Sequence, residues 1–228
     1  QQIALAGTLA VAALSAGAAS TTTIKIIGIN DFHGNLQKYG TMSARGPGGT
    51  CLTAGDVNAQ RSCPDAVDGA ATAAQNFTNI PIGGADYLAG TIAYLRNKNP
   101  NHILVSAGDM IGASPLVSAI FHDEATIEAM NRMGVDFNAV GNHEFDEGQT
   151  ELVRMQKGGC HPTDASSCKG ALVGTPYPFE GAKFKFLSAN VVDKTTGKTL
   201  FPPYGIKTFK TASGKIVRVG FIGMTLKD

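Results

Sequence analysis

The sequence predicts an α/β layered fold, with β-sheets flanked by helices, on three observations. Short β-branched or apolar runs alternate with segments of helical apolar spacing, and Gly and Pro punctuate the intervals between them. The apolar fraction of 43% in 228 residues is enough to fill a real core. A sheet built by such alternation is expected to be covered on both faces.

The first run is Ile24, Ile26, Ile27 and Ile29 within TTTIKIIGINDFHG, a strand that ends at a polar cluster. Residues 38–83 are rich in Gly, Ala, Thr and Asn and show no clear period, so they read as a long loop insert. Residues 84–98 place Ala85, Leu88, Ala89, Ile92 and Leu95 at helical spacing, and Asn99-Pro100 closes the helix. HILVSAGD supplies the second strand. A helix from about Glu124 to Met133, with Ile127, Met130 and Met133 on one side, leads through Gly134 to the third strand, FNAVGNHE. A short helix over Gln149 to Lys157 follows. FKFLSANVV and GKIVRVGFIGM read as two more strands, with Gly, Pro, Lys and Thr between them.

A formal charge of +1, with acids and bases scattered along the chain, argues against a dedicated nucleic-acid or membrane-surface binder and points to a small-molecule partner. Residues 1–20 carry no charge, have an apolar centre from Ile3 to Leu14, and reach a possible cleavage site at Ala16-Gly17-Ala18. They read as a secretory signal peptide, partial because it lacks an initiating Met and a basic start. Export to the periplasm, cell surface or exterior is expected, with no stable membrane association after cleavage. The four cysteines fall into two close pairs, Cys51 with Cys63 and Cys160 with Cys168. Local disulfides are the natural reading; a zinc site competes with it, although neither pair has C-x-x-C spacing.

In open α/β sheets the ligand site lies beyond the carboxyl ends of the strands. Three successive strand ends here supply donors: Asp31 and His33, then Asp109, then Asn142 and His143. One such Asp is ordinarily a turn residue and one such His a structural group, but three successive ends converging are harder to dismiss. The set lacks thiolate, which suits a borderline or hard divalent ion in an open catalytic site. Asp109, between the other donors in strand order, can bridge two ions. Paired metals can hold a water or hydroxide and clamp the attacking and leaving oxygens of an in-line displacement at phosphorus.

DFHG at Asp31 to Gly34, GD at Gly108-Asp109 and GNHEFD at Gly141 to Asp146 resemble the motifs of calcineurin-like metallophosphoesterases. GNHEFDEG and SANV at Ser188 to Val191 are similar to the secreted 5′-nucleotidase branch, which includes UDP-sugar hydrolases and 2′,3′-cyclic-nucleotide phosphodiesterases. The resemblance covers roughly residues 24–37 and 84–228. It implies two divalent cations, such as Zn or Mn, with Asp31 and His33 on the first, Asp109 bridging and Asn142 on the second. His143 then looks like the catalytic histidine, oriented by Asp146, and the implied substrate is a small nucleotide phosphate ester attacked by a metal-bound hydroxide. Glu144 is left for a structural hydrogen bond or charge partner. His102, His122 and His161 read as ordinary surface or helix-end residues. Gly112 to Pro115 reads as a loop and helix start, with Ser114 near a phosphate as the alternative.

The family pattern continues to further histidine ligands and a substrate-binding domain, whereas this sequence has no histidine beyond His161. Residues 21–228 are therefore expected to be an incomplete catalytic domain carrying the 38–83 insert. The alternatives are a hydrolase of cyclic nucleotides, UDP-sugars or sulfur esters on the same core, and a non-catalytic secreted binding protein. The purified 228-residue chain is expected to show little or no metal-dependent phosphatase turnover, and an aryl-phosphate assay with added Mn²⁺ checks this.

Overall fold

The computed structural model describes residues 21–38, 40–45, 76–169, 178–211 and 213–226. The expected signal peptide and the Cys51 and Cys63 pair lie outside the described residues. The central sheet has four parallel strands in the order β1 (Lys25–Ile29), β4 (His102–Ser106), β5 (Phe137–Ala139) and β6 (Lys185–Leu187). Each lies at the position the sequence assigned to a strand.

Three helices, α1 (Ala85–Asn97), α3 (Glu124–Met133) and α4 (Gly148–Lys157), match the expected helical segments to within a residue or two. The helix start expected at Pro115 is a one-turn helix, α2 (Leu116–Ala119), which begins directly after that residue, whose fixed φ suits the position. Ile92 of α1, Ile127 and Met130 of α3, and Leu152 and Met155 of α4 form one buried cluster with Ile27, Leu104, Val140 and Phe186 of the sheet layer. The apolar stripe at period 3.6 thus meets one face of the strands. α3 ends at Gly134, where φ is 69°, and Arg96 of α1 donates to the carbonyls of Met133 at 2.5 Å and Gly134 at 2.8 Å. The guanidinium satisfies two carbonyls that the helix end leaves open.

The second face is covered as well, as expected. A hairpin of β7 (Tyr204–Lys210) and β8 (Ile216–Ile222) covers it in place of helices. Phe209, Val217, Val219 and Phe221 pack on Ile103, Val105, Phe137 and Leu187. Lys207 clamps the two layers, with its Nζ 2.5 Å from Asp136 Oδ1, while Asp136 Oδ2 accepts from the Leu104 N–H. β8 is the expected last strand, paired antiparallel with β7 rather than added to the parallel sheet. The 38–83 segment also differs from a plain loop. It begins and ends in strands β2 (Gly40–Arg45) and β3 (Asn76–Ile82), paired antiparallel.

Cys160 and Cys168 form the expected disulfide. The loop it closes docks on the start of α3, where the buried Glu124 carboxylate accepts from Ser167 Oγ at 2.8 Å and the Cys168 N–H at 2.7 Å. Arg154 completes the junction by pairing with Glu124 at 2.6 Å and Glu151 at 2.5 Å. Two carboxylates around one guanidinium satisfy groups that would be costly to bury alone.

Phe186 is fully buried, with its ring centroid 5.5 Å from those of both Phe184 and Phe201. Phe186→Ala is expected to cost about 3–5 kcal/mol, read as a lower urea midpoint at an unchanged m-value.

Candidate metal centre

The carboxyl ends of β1, β4 and β5 meet in one place because their loops are bonded to each other. The Asp31 N–H donates to the Gly108 carbonyl at 3.1 Å, His33 N–H to Asp109 at 3.0 Å, and Gly34 N–H to Met110 at 3.2 Å. Asp31, His33 and Asp109 have φ of 50°, 45° and 52°. Left-handed backbone at three non-glycine residues in one cluster is the strain that functional sites concentrate.

Two glycines allow the approach. Gly108 has φ of 110°, and a Cβ there would meet the Gly141 backbone at 2.9 Å. A Cβ at Gly141 would fall onto the Asp109 carboxylate. The GD and GNH motifs therefore need glycine for the close contact of two strand-end loops.

Glu144 binds those loops together. Its Oε2 accepts from the Asp109 N–H at 2.9 Å and the Gly141 N–H at 2.7 Å; its Oε1 accepts from the Met110 N–H at 2.9 Å and Asn138 Nδ2 at 3.1 Å. Burial pushes the Glu144 carboxyl up, against the pull of the Met110 N–H and the other three donors. Every partner is a donor, which suits the ionised form. The expectation of a structural role for Glu144 holds.

His33, Asp109 and His143 each present a ligand atom, all within 4.8 Å of one another. Ligands about 2.0–2.2 Å from a shared ion stand ~3–4 Å apart, so a small contraction fits His33 and Asp109 to a cation, with the His143 ring beside it. The His33 Nδ1–H donates to the Gly112 carbonyl at 2.8 Å, which leaves the Nε2 lone pair as the free donor. Asp31 is exposed, with Oδ1 3.9 Å from His33 Nε2 and its other oxygen accepting from Asn30 Nδ2. Asp109 Oδ1 accepts from the His143 N–H at 3.1 Å, and the rings of His33 and His143 meet edge to face at 4.9 Å. Asn142 is exposed and begins the turn of residues 143–145. The mixed oxygen and imidazole set therefore fits one or more divalent ions.

His143 Nδ1 and Asp146 Oδ2 are 3.0 Å apart, as the spacing of the two residues led one to expect. This bond chiefly raises the imidazole above its ordinary value, with Asp109 and Glu144 adding to it against burial. Burial nudges Asp146 up, but the His143 ring and the Ala113 N–H hold it below the ordinary carboxylate value.

Two residues escaped the sequence reading. The buried Asp123 accepts from the Gly112 N–H at 3.0 Å, Ser114 Oγ at 2.9 Å and Ser118 Oγ at 2.5 Å, and so fixes the loop whose carbonyl orients His33. Ser114 is thereby turned to Asp123, in keeping with the loop-and-helix-start reading. His122 is not an ordinary surface residue: its ring is 13% exposed and faces carboxylates on two sides. Only an unexplained Asp before a helix hinted at the first, and nothing local at the second.

No protein-family model matches the chain. It is 44% identical over 192 residues to an uncharacterized protein in the pqq-V 5′ region of Acinetobacter calcoaceticus, covering 83% of this chain and 80% of that protein. It is 32% identical over 205 residues to endonuclease YhcR of Bacillus subtilis, covering 90% of this chain and 13% of the relative. Against a 5′-nucleotidase of Vibrio cholerae the identity is 32% over 126 residues, covering 55% and 18%. Among solved structures, Haemophilus influenzae NAD nucleotidase matches with a TM-score of 0.53 at 24% identity, over 89% of this chain and 26% of that one. A calcineurin-like phosphoesterase, YfkN of Bacillus subtilis, matches with a TM-score of 0.50 at 24% identity, over 89% and 48%. These two are likenesses of fold. The chain spans 13% to 48% of the four relatives with described activities.

Glu144→Ala strands three backbone N–H groups at about 1–3 kcal/mol each, so a lower urea midpoint and weaker Mn²⁺ binding by calorimetry are expected. Glu144→Gln, which retains one acceptor oxygen, is expected to lie between it and the parent.

Proposed function

We propose that the chain is a calcineurin-like metallophosphoesterase and that it hydrolyses nucleotide phosphate esters in the manner of a 5′-nucleotidase, a reading supported by its similarity to a 5′-nucleotidase and by the shared fold. The observation that carries this reading is the convergence of His33, Asp109 and His143 at three strand ends, with Asp146 behind His143.

In this reading Asp31 and His33 would hold one divalent cation and Asn142 a second, with Asp109 available to both. Zn²⁺ or Mn²⁺ at those positions would supply Lewis acidity toward the phosphoryl oxygens and an activated water. Asp146 accepts the Nδ1–H of His143 and so fixes the ring with Nε2 toward the open side. From there Nε2–H donates to the phosphoryl or leaving oxygen and offsets the charge that develops in the transition state. Gly112, by accepting from His33, keeps the Nε2 lone pair of that ring on the cation side.

Export accompanies this reading. The Cys160–Cys168 disulfide suits an oxidising compartment, and among the described residues no helix is long and apolar enough to cross a membrane. A second reading, cleavage of nucleic-acid phosphodiesters, is favoured by the endonuclease relative. The formal charge of +1 argues for the smaller substrate, because backbone binding needs a basic surface.

The test is hydrolysis of AMP, an aryl phosphate and a single-stranded oligonucleotide by the natural full-length protein with Mn²⁺ or Zn²⁺. AMP turnover abolished by chelation and lowered about 10²–10⁴-fold by His143→Ala is expected. Turnover indifferent to both would overturn the assignment, and cleavage of the oligonucleotide alone would replace the substrate.

A further inference from the structure

Behind the metal face, two consecutive residues in left-handed backbone, His122 with φ of 51° and Asp123 with φ of 57°, hold both halves of the site. Asp123 holds Gly112, and through its carbonyl His33, as described above. His122 works on the other half. Its Nδ1 lies 2.5 Å from Glu147 Oε2, and its Nε2 lies 3.1 Å from Asp164 Oδ2. Glu147 directly follows Asp146, the residue that orients His143. Asp164 belongs to the loop closed by the Cys160–Cys168 disulfide, which Glu124 and Arg154 fasten to α3 and α4.

We propose that His122 is a positioning residue that couples pH to the metal face: its imidazolium ties Glu147, and with it the turn bearing His143 and Asp146, to the disulfide-closed loop at Asp164. The inference rests on the reading of His143 and Asp146 as the acid pair of a phosphoesterase.

The chemistry of imidazole makes this a switch. With two ring protons, His122 donates to both carboxylates; with one, it donates to a single carboxylate and turns a lone pair toward the other. The surrounding groups favour two protons. Glu147, just before α4, and Glu151 of α4 face Nδ1, the latter at 3.9 Å, and Asp164 faces Nε2. Arg154 is bonded to Glu151 and balances that charge. His161 stacks on His122 with centroids 4.8 Å apart, and its Nδ1 accepts from the Thr163 and Asp164 N–H groups, which keeps a lone pair there. The neighbouring Asp123 carboxylate is taken up by Ser114, Ser118 and Gly112.

Burial works to lower His122, but Glu147, then Asp164 and Glu151, more than offset it and leave the ring above its ordinary value of 6.5. Asp164 sits at about 2, held there chiefly by Ser166 and further by His122. Because the folded value of His122 is raised, the clamp contributes in full below the unfolded value and is lost as pH rises through the folded one.

The experiment compares the full-length protein with His122→Gln from about pH 6 to about pH 9. At the acid end the variant is expected to lose kcat on the order of tenfold with KM little changed, and the gap to close toward the alkaline end. A kcat ratio that stays constant with pH, or a change confined to KM, overturns the clamp. If the parent itself turns over no phosphate ester, the functional reading fails and imidazole NMR decides the clamp alone. In that case the His143 signals are expected to follow the titration of His122 in the parent and to lose that step in the variant; His143 signals blind to His122 overturn the proposal. Should His122→Gln not fold, Glu147→Gln cuts the same tie and is read by the same criteria.

Discussion

The arrangement of this site depends on one carboxylate. Glu144 accepts the backbone N–H groups of Asp109, Met110 and Gly141, so a single buried side chain welds the end of β4 to the end of β5. The two loops approach too closely for any residue but glycine at 108 and 141. Their amides, turned away from any strand partner, need an acceptor supplied from within. Once they have one, Asp109 can keep its left-handed backbone and aim its carboxylate at the histidines. The negative charge is placed where it gathers backbone dipoles and leaves the neighbouring donors open.

Much of this was legible in the chain because it is local. Each parallel strand is an apolar run, and each ends in a polar cluster that cannot be core. The helices carry their stripes at period 3.6, so α1, α3 and α4 fall where the pattern places them. His143 and Asp146 meet across one turn, which the interval between them announces.

What was not legible is set by distant packing. The inward positions of β7 include Gly205 and Lys207, which hide the alternation expected of a half-buried strand. Gly205 is there because the Phe137 ring fills the space its Cβ would take, and Lys207 because Asp136 lies beneath it. Nothing within a dozen residues of either hints at that partner. The same holds for His122, whose carboxylates arrive from α4 and from the disulfide-closed loop, and for β2 and β3, whose composition resembles ordinary loop. The covering of the second sheet face by a hairpin instead of helices follows from the same contacts.

The topology carries an implication for how such chains diversify. β1 pairs with β4 residue by residue from Lys25↔His102 to Ile29↔Ser106, so the whole stretch between them is a detour closed by the sheet itself. Closing a chain excursion costs free energy only as the logarithm of its length, about 0.6 kcal/mol for each doubling. Lengthening or trimming the 38–83 stretch is then nearly free for the sheet, because the candidate site is built at the closed ends of the detour. Selection can rewrite that segment while the donors at the strand ends keep their register.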